Sequence, residues 1–136
     1  MKSLWGKLGV ILIGLAIFSY TEVWGTDWKL YSRDDEGIRY YDAEGMIRPS
    51  ENTVEVWLRE EYTDKGVMKM VKRLGKKYQN IGYTMALVEI NCLGKKIQTL
   101  SLIRFSKEGN IISSGSRNGI WKYFVPGSLL YEAVCK

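Results

Sequence analysis

Two cysteines, Cys92 and Cys135, in a chain without histidine constrain this sequence more than any other feature. Cys135 is the penultimate residue, so a bond between them would fasten a chain end that otherwise frays to the Ile90-Asn91-Cys92 segment in mid-sequence. Such a bond needs an oxidising compartment, and the first residues supply the address. Lys2 and Lys7 form a positive start, residues 8–18 are apolar, and Val23-Trp24-Gly25 offers the small residues that signal peptidase reads. We therefore expect residues 1–25 to be a cleaved signal peptide and residues 26–136 to be a single exported domain. The apolar run falls short of the roughly 20 residues that a spanning helix needs, so no stable transmembrane segment is expected in the mature chain.

Closing the loop between the cysteines is worth about 4 kcal/mol as an upper figure on chain-entropy grounds. The rival readings are a metal site and a nucleophilic thiol. Two thiols with no histidine make a poor zinc site, because structural zinc takes four ligands. The missing histidine also removes Ser-His-Asp and Cys-His catalysis and an imidazole switch near neutral pH. No catalytic residue, metal or cofactor is assigned. No cysteine stands at the leader boundary to receive a lipid. Two lysines and one glutamate leave with the leader, taking the formal net charge from +5 to +4.

Along the mature chain, residues 28–31 and 38–42 read as a hairpin around the turn-forming Asp34-Asp35-Glu36-Gly37. In residues 53–62, Val54, Val56 and Leu58 alternate with Glu55, Trp57 and Arg59, the period of a half-buried strand. Pro49 and residues 50–52 mark a loop or sheet edge. The period then changes. After a cap at Thr63 or Asp64, Val67, Met70, Val71 and Leu74 fall at helical spacing, with Lys65, Lys69, Lys72, Arg73, Lys76 and Lys77 on the other faces. Residues 83–92 form a nearly continuous apolar run, which predicts a central strand covered on both faces. Strands over 97–105 and 111–113 follow around a turn at 107–110, then a loop over 114–119, a last short strand within 121–125 and helical turns over 129–135. The fold class is α+β: an antiparallel β-sheet with a basic amphipathic helix and a short C-terminal helix packed on it, and one disulfide.

Three groups of residues are candidate surfaces. The basic residues Lys65, Lys69, Lys72, Arg73, Lys76 and Lys77 could capture an acidic protein segment, a sulfated glycan or an anionic headgroup, although lysines spread around a helix more often form a solvated face. Tyr40, Tyr41 and Trp57 are candidates for an aromatic interface, against the commoner role of filling a small core. The carboxylates of residues 34–36, Asp42 with Glu44, and Glu60 with Glu61 lack the alternating spacing of a calcium loop and read as turn and strand-face chemistry. Export, and the absence of groove-reading or stacking machinery, argue against nucleic acid.

The blocks Asp27-Trp28-Lys29-Leu30-Tyr31, Tyr40-Tyr41-Asp42-Ala43-Glu44, Ile47-Arg48-Pro49-Ser50, Val54-Glu55-Val56-Trp57, Tyr62-Thr63-Asp64-Lys65-Gly66, Glu89-Ile90-Asn91-Cys92 and Ala133-Val134-Cys135 follow one another in an order that resembles the surface-adhesin protein E family of Gram-negative bacteria. The resemblance covers residues 27–136. It implies a small exported α+β domain, a cysteine pair matching Cys92 and Cys135, and a tendency to form homodimers. It also implies adhesion, since the founding member is a surface lipoprotein that binds matrix and plasma proteins such as vitronectin and laminin. The chain departs from that pattern in lacking the lipidated cysteine. The expectation is a non-enzymatic exported protein, periplasmic or at the cell surface, that binds an acidic or matrix-type protein partner. The alternative is a periplasmic accessory protein acting through homodimerisation or an envelope complex. An enzymatic reading would require two carboxylates, or a serine and a lysine, converging in an enclosed pocket.

Overall fold

A computed structural model describes residues 27–116 and 119–136, so the expected signal peptide lies outside the described residues. The strands are β1 (Trp28–Arg33), β2 (Gly37–Asp42), β3 (Ile47–Ser50), β4 (Thr53–Tyr62), β5 (Ile81–Asn91), β6 (Lys96–Ser106), β7 (Ile111–Ser116) and β8 (Lys122–Tyr123). Helix α1 (Asp64–Leu74) and a 3₁₀ turn (Lys76–Tyr78) lie between β4 and β5, and helix α2 (Leu129–Cys135) closes the described chain. The strands make one antiparallel sheet in the order β1-β2-β4-β5-β6-β7, with β3 paired to β4 and β8 paired to β6. The register of β1 on β2 shifts between Leu30 and Ser32, and β3 carries Pro49.

Residues directly opposite in an antiparallel pair share a face, and successive residues alternate between faces. Val54 faces Ile90, Val56 faces Val88, and Leu58 faces Ala86 on one side of the sheet. Val54, Val56 and Ile90 are wholly buried there beneath Leu130 and Val134 of α2. Helix α1 lies on the same side, because Met70, Val67 and Val71 pack with Tyr62, and Tyr62 Oη shares a 2.8 Å hydrogen bond with Thr84 Oγ1, opposite Glu60. Both helices thus cover one face.

The expectation that residues 83–92 are covered on both faces needs correction. Met85 lies opposite Arg59 and Ile103, and Leu87 opposite Trp57 and Ser101, on the face without a helix. Met85 is nevertheless buried. No helix forms a second layer over these residues among the described elements, although the Gly119 segment approaches Gln98 on this face.

The helix of residues 64 onward is also shorter than its basic run. Gly75, at a φ of +111° that side chains resist, ends α1 with its N–H on Val71 O, and Lys76 and Lys77 fall in the separate 3₁₀ turn.

The Cys92–Cys135 disulfide is formed, with 5.6 Å between the Cα atoms. Tyr131 of α2 reinforces it by donating its hydroxyl hydrogen to Cys92 O at 2.8 Å, and Phe124 packs edge-on against Tyr131 with ring centres 5.3 Å apart. Replacing both cysteines (Cys92→Ser with Cys135→Ser) should lower stability by about 2 to 5 kcal/mol. Denaturant titration would show this, and an unchanged midpoint would mean that α2 is held by packing alone.

Candidate functional site

The acidic turn between β1 and β2 anchors the start of α1. Thr63 caps the helix by accepting the Gly66 N–H at 3.2 Å, donates its hydroxyl to Asp35 O at 2.6 Å, and gives its own N–H to Glu36 O at 3.1 Å. Lys65 Nζ then reaches Asp35 at 2.6 Å and Lys69 Nζ reaches Glu36 at 3.2 Å. Within the turn, Asp34 accepts the Glu36 and Gly37 N–H groups and faces Arg39 at 3.0 Å. The Glu36 N–H first, and Arg39 next, hold the Asp34 carboxyl below the usual carboxylate range. Its hydrogen bond to Asp35 raises the Lys65 ammonium.

The six basic residues of the sequence-predicted surface are all exposed but do not form one set. Lys65 and Lys69 are engaged by the protein's own carboxylates. Lys72 and Arg73 occupy the last turn of α1, where they complement its dipole. Lys76 and Lys77 lie beyond Gly75, with Lys77 Nζ 5.5 Å from the centre of the Tyr78 ring.

The aromatic candidates divide as well. Tyr41 lies opposite Leu58 and packs into the core beside Tyr31, with ring centres 6.3 Å apart. Tyr40 lies opposite Arg59, on the helix-free face, which it shares with Trp57. That face also carries residues that sequence reasoning did not single out. The Arg59 guanidinium sits 4.0 Å over the Tyr83 ring, Tyr83 stacks on Phe105 at 4.7 Å, and Arg59 Nε bonds Glu61 at 2.9 Å. The alternation of residues 97–105 contained Ile103 and Phe105, but only the strand register aligns them with Arg59 and Tyr83.

The carboxylate groups serve structure. Asp42 is buried and accepts the Gly45 N–H at 3.1 Å, and Glu60 pairs with Arg39 at 3.0 Å. Glu60 and Glu61 project from opposite faces. Among the described residues, no group of three or more carboxylate, histidine or cysteine side chains is placed to hold a metal. A cleft of about 200 Å³ between α1 and the sheet is lined by Glu36, Glu60, Tyr62, Lys69, Met70 and Arg73, and its charges are of both signs.

Two predictions come from this region. A Cβ at Gly66 would collide with the Glu36 backbone carbonyl, so Gly66→Ala should push α1 away from the acidic turn and cost about 1 to 3 kcal/mol, measured by denaturation. Burial first, and Glu60 second, push the Tyr31 hydroxyl from 10.0 up to about 12. The unfolded chain loses this proton first, so the contribution is intact below about pH 10 and is lost as pH climbs toward 12. Tyr31→Phe should flatten that part of the alkaline decline in unfolding midpoint.

Residues 28–136 match the model of a known family, described as surface-adhesin protein E. Searches of curated proteins and of solved structures gave no significant match.

Proposed function

The chain belongs to the surface-adhesin protein E family, and from that membership we propose that it is a non-enzymatic exported protein that binds an extracellular, matrix-type protein partner through the helix-free face of its sheet. The observation that carries the choice of face is the cluster of Tyr40, Arg59, Tyr83 and Phe105 on the side that neither helix covers. Tyrosine and arginine are enriched among residues that dominate protein–protein binding, whereas lysine is depleted there. Tyr83 and Arg59 are already ordered by their stacking, which reduces the entropy lost on binding. Lys72, Arg73, Lys76 and Lys77 add a positive field that speeds encounter with an acidic partner.

Purified protein on immobilised matrix proteins tests this. Tyr40→Ala and Tyr83→Ala should each weaken binding by about 2 kcal/mol, roughly thirtyfold, with only a modest effect of salt. Full affinity in both variants, with loss on charge reversal at Lys72, Arg73, Lys76 and Lys77, would move the contact to the basic segment. The location has its own check. Protease added to intact cells should digest the protein while a periplasmic marker survives, and protection until the outer membrane is permeabilised would favour the periplasmic alternative.

A further inference from the structure

The segment from β8 to α2 concentrates exposed apolar side chains in a few consecutive residues. Tyr123 is 75 % exposed, Val125 72 % and Leu129 57 %, while Phe124 turns inward to Tyr131. Leu93, 76 % exposed, stands beside them at the β5–β6 turn. That proximity is fixed by the pairing of β8 with Lys96 and Ile97, by the Phe124 N–H on Lys95 O at 2.9 Å, and by the disulfide that ties α2 to Cys92.

Four lysines flank these residues on both sides of the sheet edge, since Lys122 shares the helix-covered face with Ile97 while Lys96 and Tyr123 share the other. Lys96 Nζ lies 5.5 Å from the Tyr123 ring centre, Lys95 and Lys136 lie 6.0 and 5.8 Å from that of Tyr131, and Lys122 pairs across from Ile97. Lys136 contacts Glu132 at 3.3 Å, and the other three form no salt bridge among the described residues. Lys95 also holds a φ of +56°, the only positive value among the described non-glycine residues, next to a glycine that would accept it more easily. A groove of about 250 Å³ lined by Lys95, Phe124, Val125, Pro126, Tyr131 and Lys136 opens here.

We propose that this corner docks on an anionic lipid surface, with Leu93, Tyr123 and Val125 entering the headgroup layer and Lys95, Lys96, Lys122 and Lys136 contacting its phosphates. A protein interface of this exposure would be expected to use arginine and to exclude lysine from its centre. Lysines interleaved with exposed aromatic and aliphatic side chains, three of the four outside any salt bridge among the described residues, suit a lipid boundary instead. The turn and edge strand leave these apolar side chains exposed at the rim of the sheet, where a layer can receive them.

Cosedimentation with phosphatidylcholine vesicles, with and without phosphatidylglycerol, tests the proposal without any protein partner, so its outcome is separate from that of the adhesion assay. The protein should partition onto the phosphatidylglycerol vesicles and far less onto phosphatidylcholine alone. Lys96→Gln and Lys122→Gln should each reduce partition about fivefold. Leu93→Ser with Val125→Ser should abolish it while leaving the melting temperature unchanged, since both side chains are exposed. Lys76→Gln with Lys77→Gln, away from the corner, should reduce partition far less than either corner lysine change. Absence of binding, equal binding to neutral vesicles, full binding by the serine variant, or equal losses from the Lys76 and Lys77 changes would overturn the proposal.

Discussion

The contact between Val54, Val56, Val88 and Ile90 across β4 and β5 is the constraint on which the rest of the structure depends. A slip of one residue in that pairing would put Val54 and Val56 on the opposite face from Val88 and Ile90 and split the patch. The correct register leaves an apolar patch that must be covered, and α2 covers it with Leu130 and Val134. Seven residues are too few for a helix to persist in water unaided. Its Ser128 cap, the Tyr131 bond to Cys92 O and the disulfide supply what its length does not.

The parts of this arrangement that were legible in the sequence are those governed by local chemistry. The alternation of residues 53–62 matches β4 at both ends, and the start of the helical period narrows the cap to Thr63 or Asp64, of which the structure uses Thr63. The cysteine pairing was readable because two thiols have a single intramolecular way to join. What could not be read depends on which strands lie side by side. Tyr40 and Tyr41 are neighbours in sequence, yet register sends one to the open face and the other into the core. Asp35 and Glu36 looked like turn residues alone, although they also bind lysines about thirty positions away. The apolar run through Met85 and Leu87 suggested helices on both faces, because composition does not show on which side the helices pack.

That division bears on function. The helix-covered face takes up Val54, Val56, Val88, Ile90 and Tyr41, and the acidic turn engages two of the six basic residues that had looked available. The surface left for recognition is richer in rings and guanidinium than in ammonium groups, and its key pair, Arg59 with Tyr83, comes from adjacent strands. A family fold can therefore be inferred from short blocks in order, while the side on which it binds has to come from register.

The shifted register of β1 and the proline in β3 have a consequence for assembly. An open sheet offers unpaired amides and carbonyls at its margins, and a matching strand from another molecule could extend it without limit. Here β1 is bent out of a flat ladder between Leu30 and Ser32, Pro49 withholds a donor in β3, and β7 ends in Ser113-Ser114-Gly115-Ser116 with little apolar surface to hold a newcomer. Association is thereby turned away from the margins and toward faces and corners, where complexes stop at a finite size. For a member of a surface-adhesin family, that is the difference between a discrete attachment point and a growing fibre.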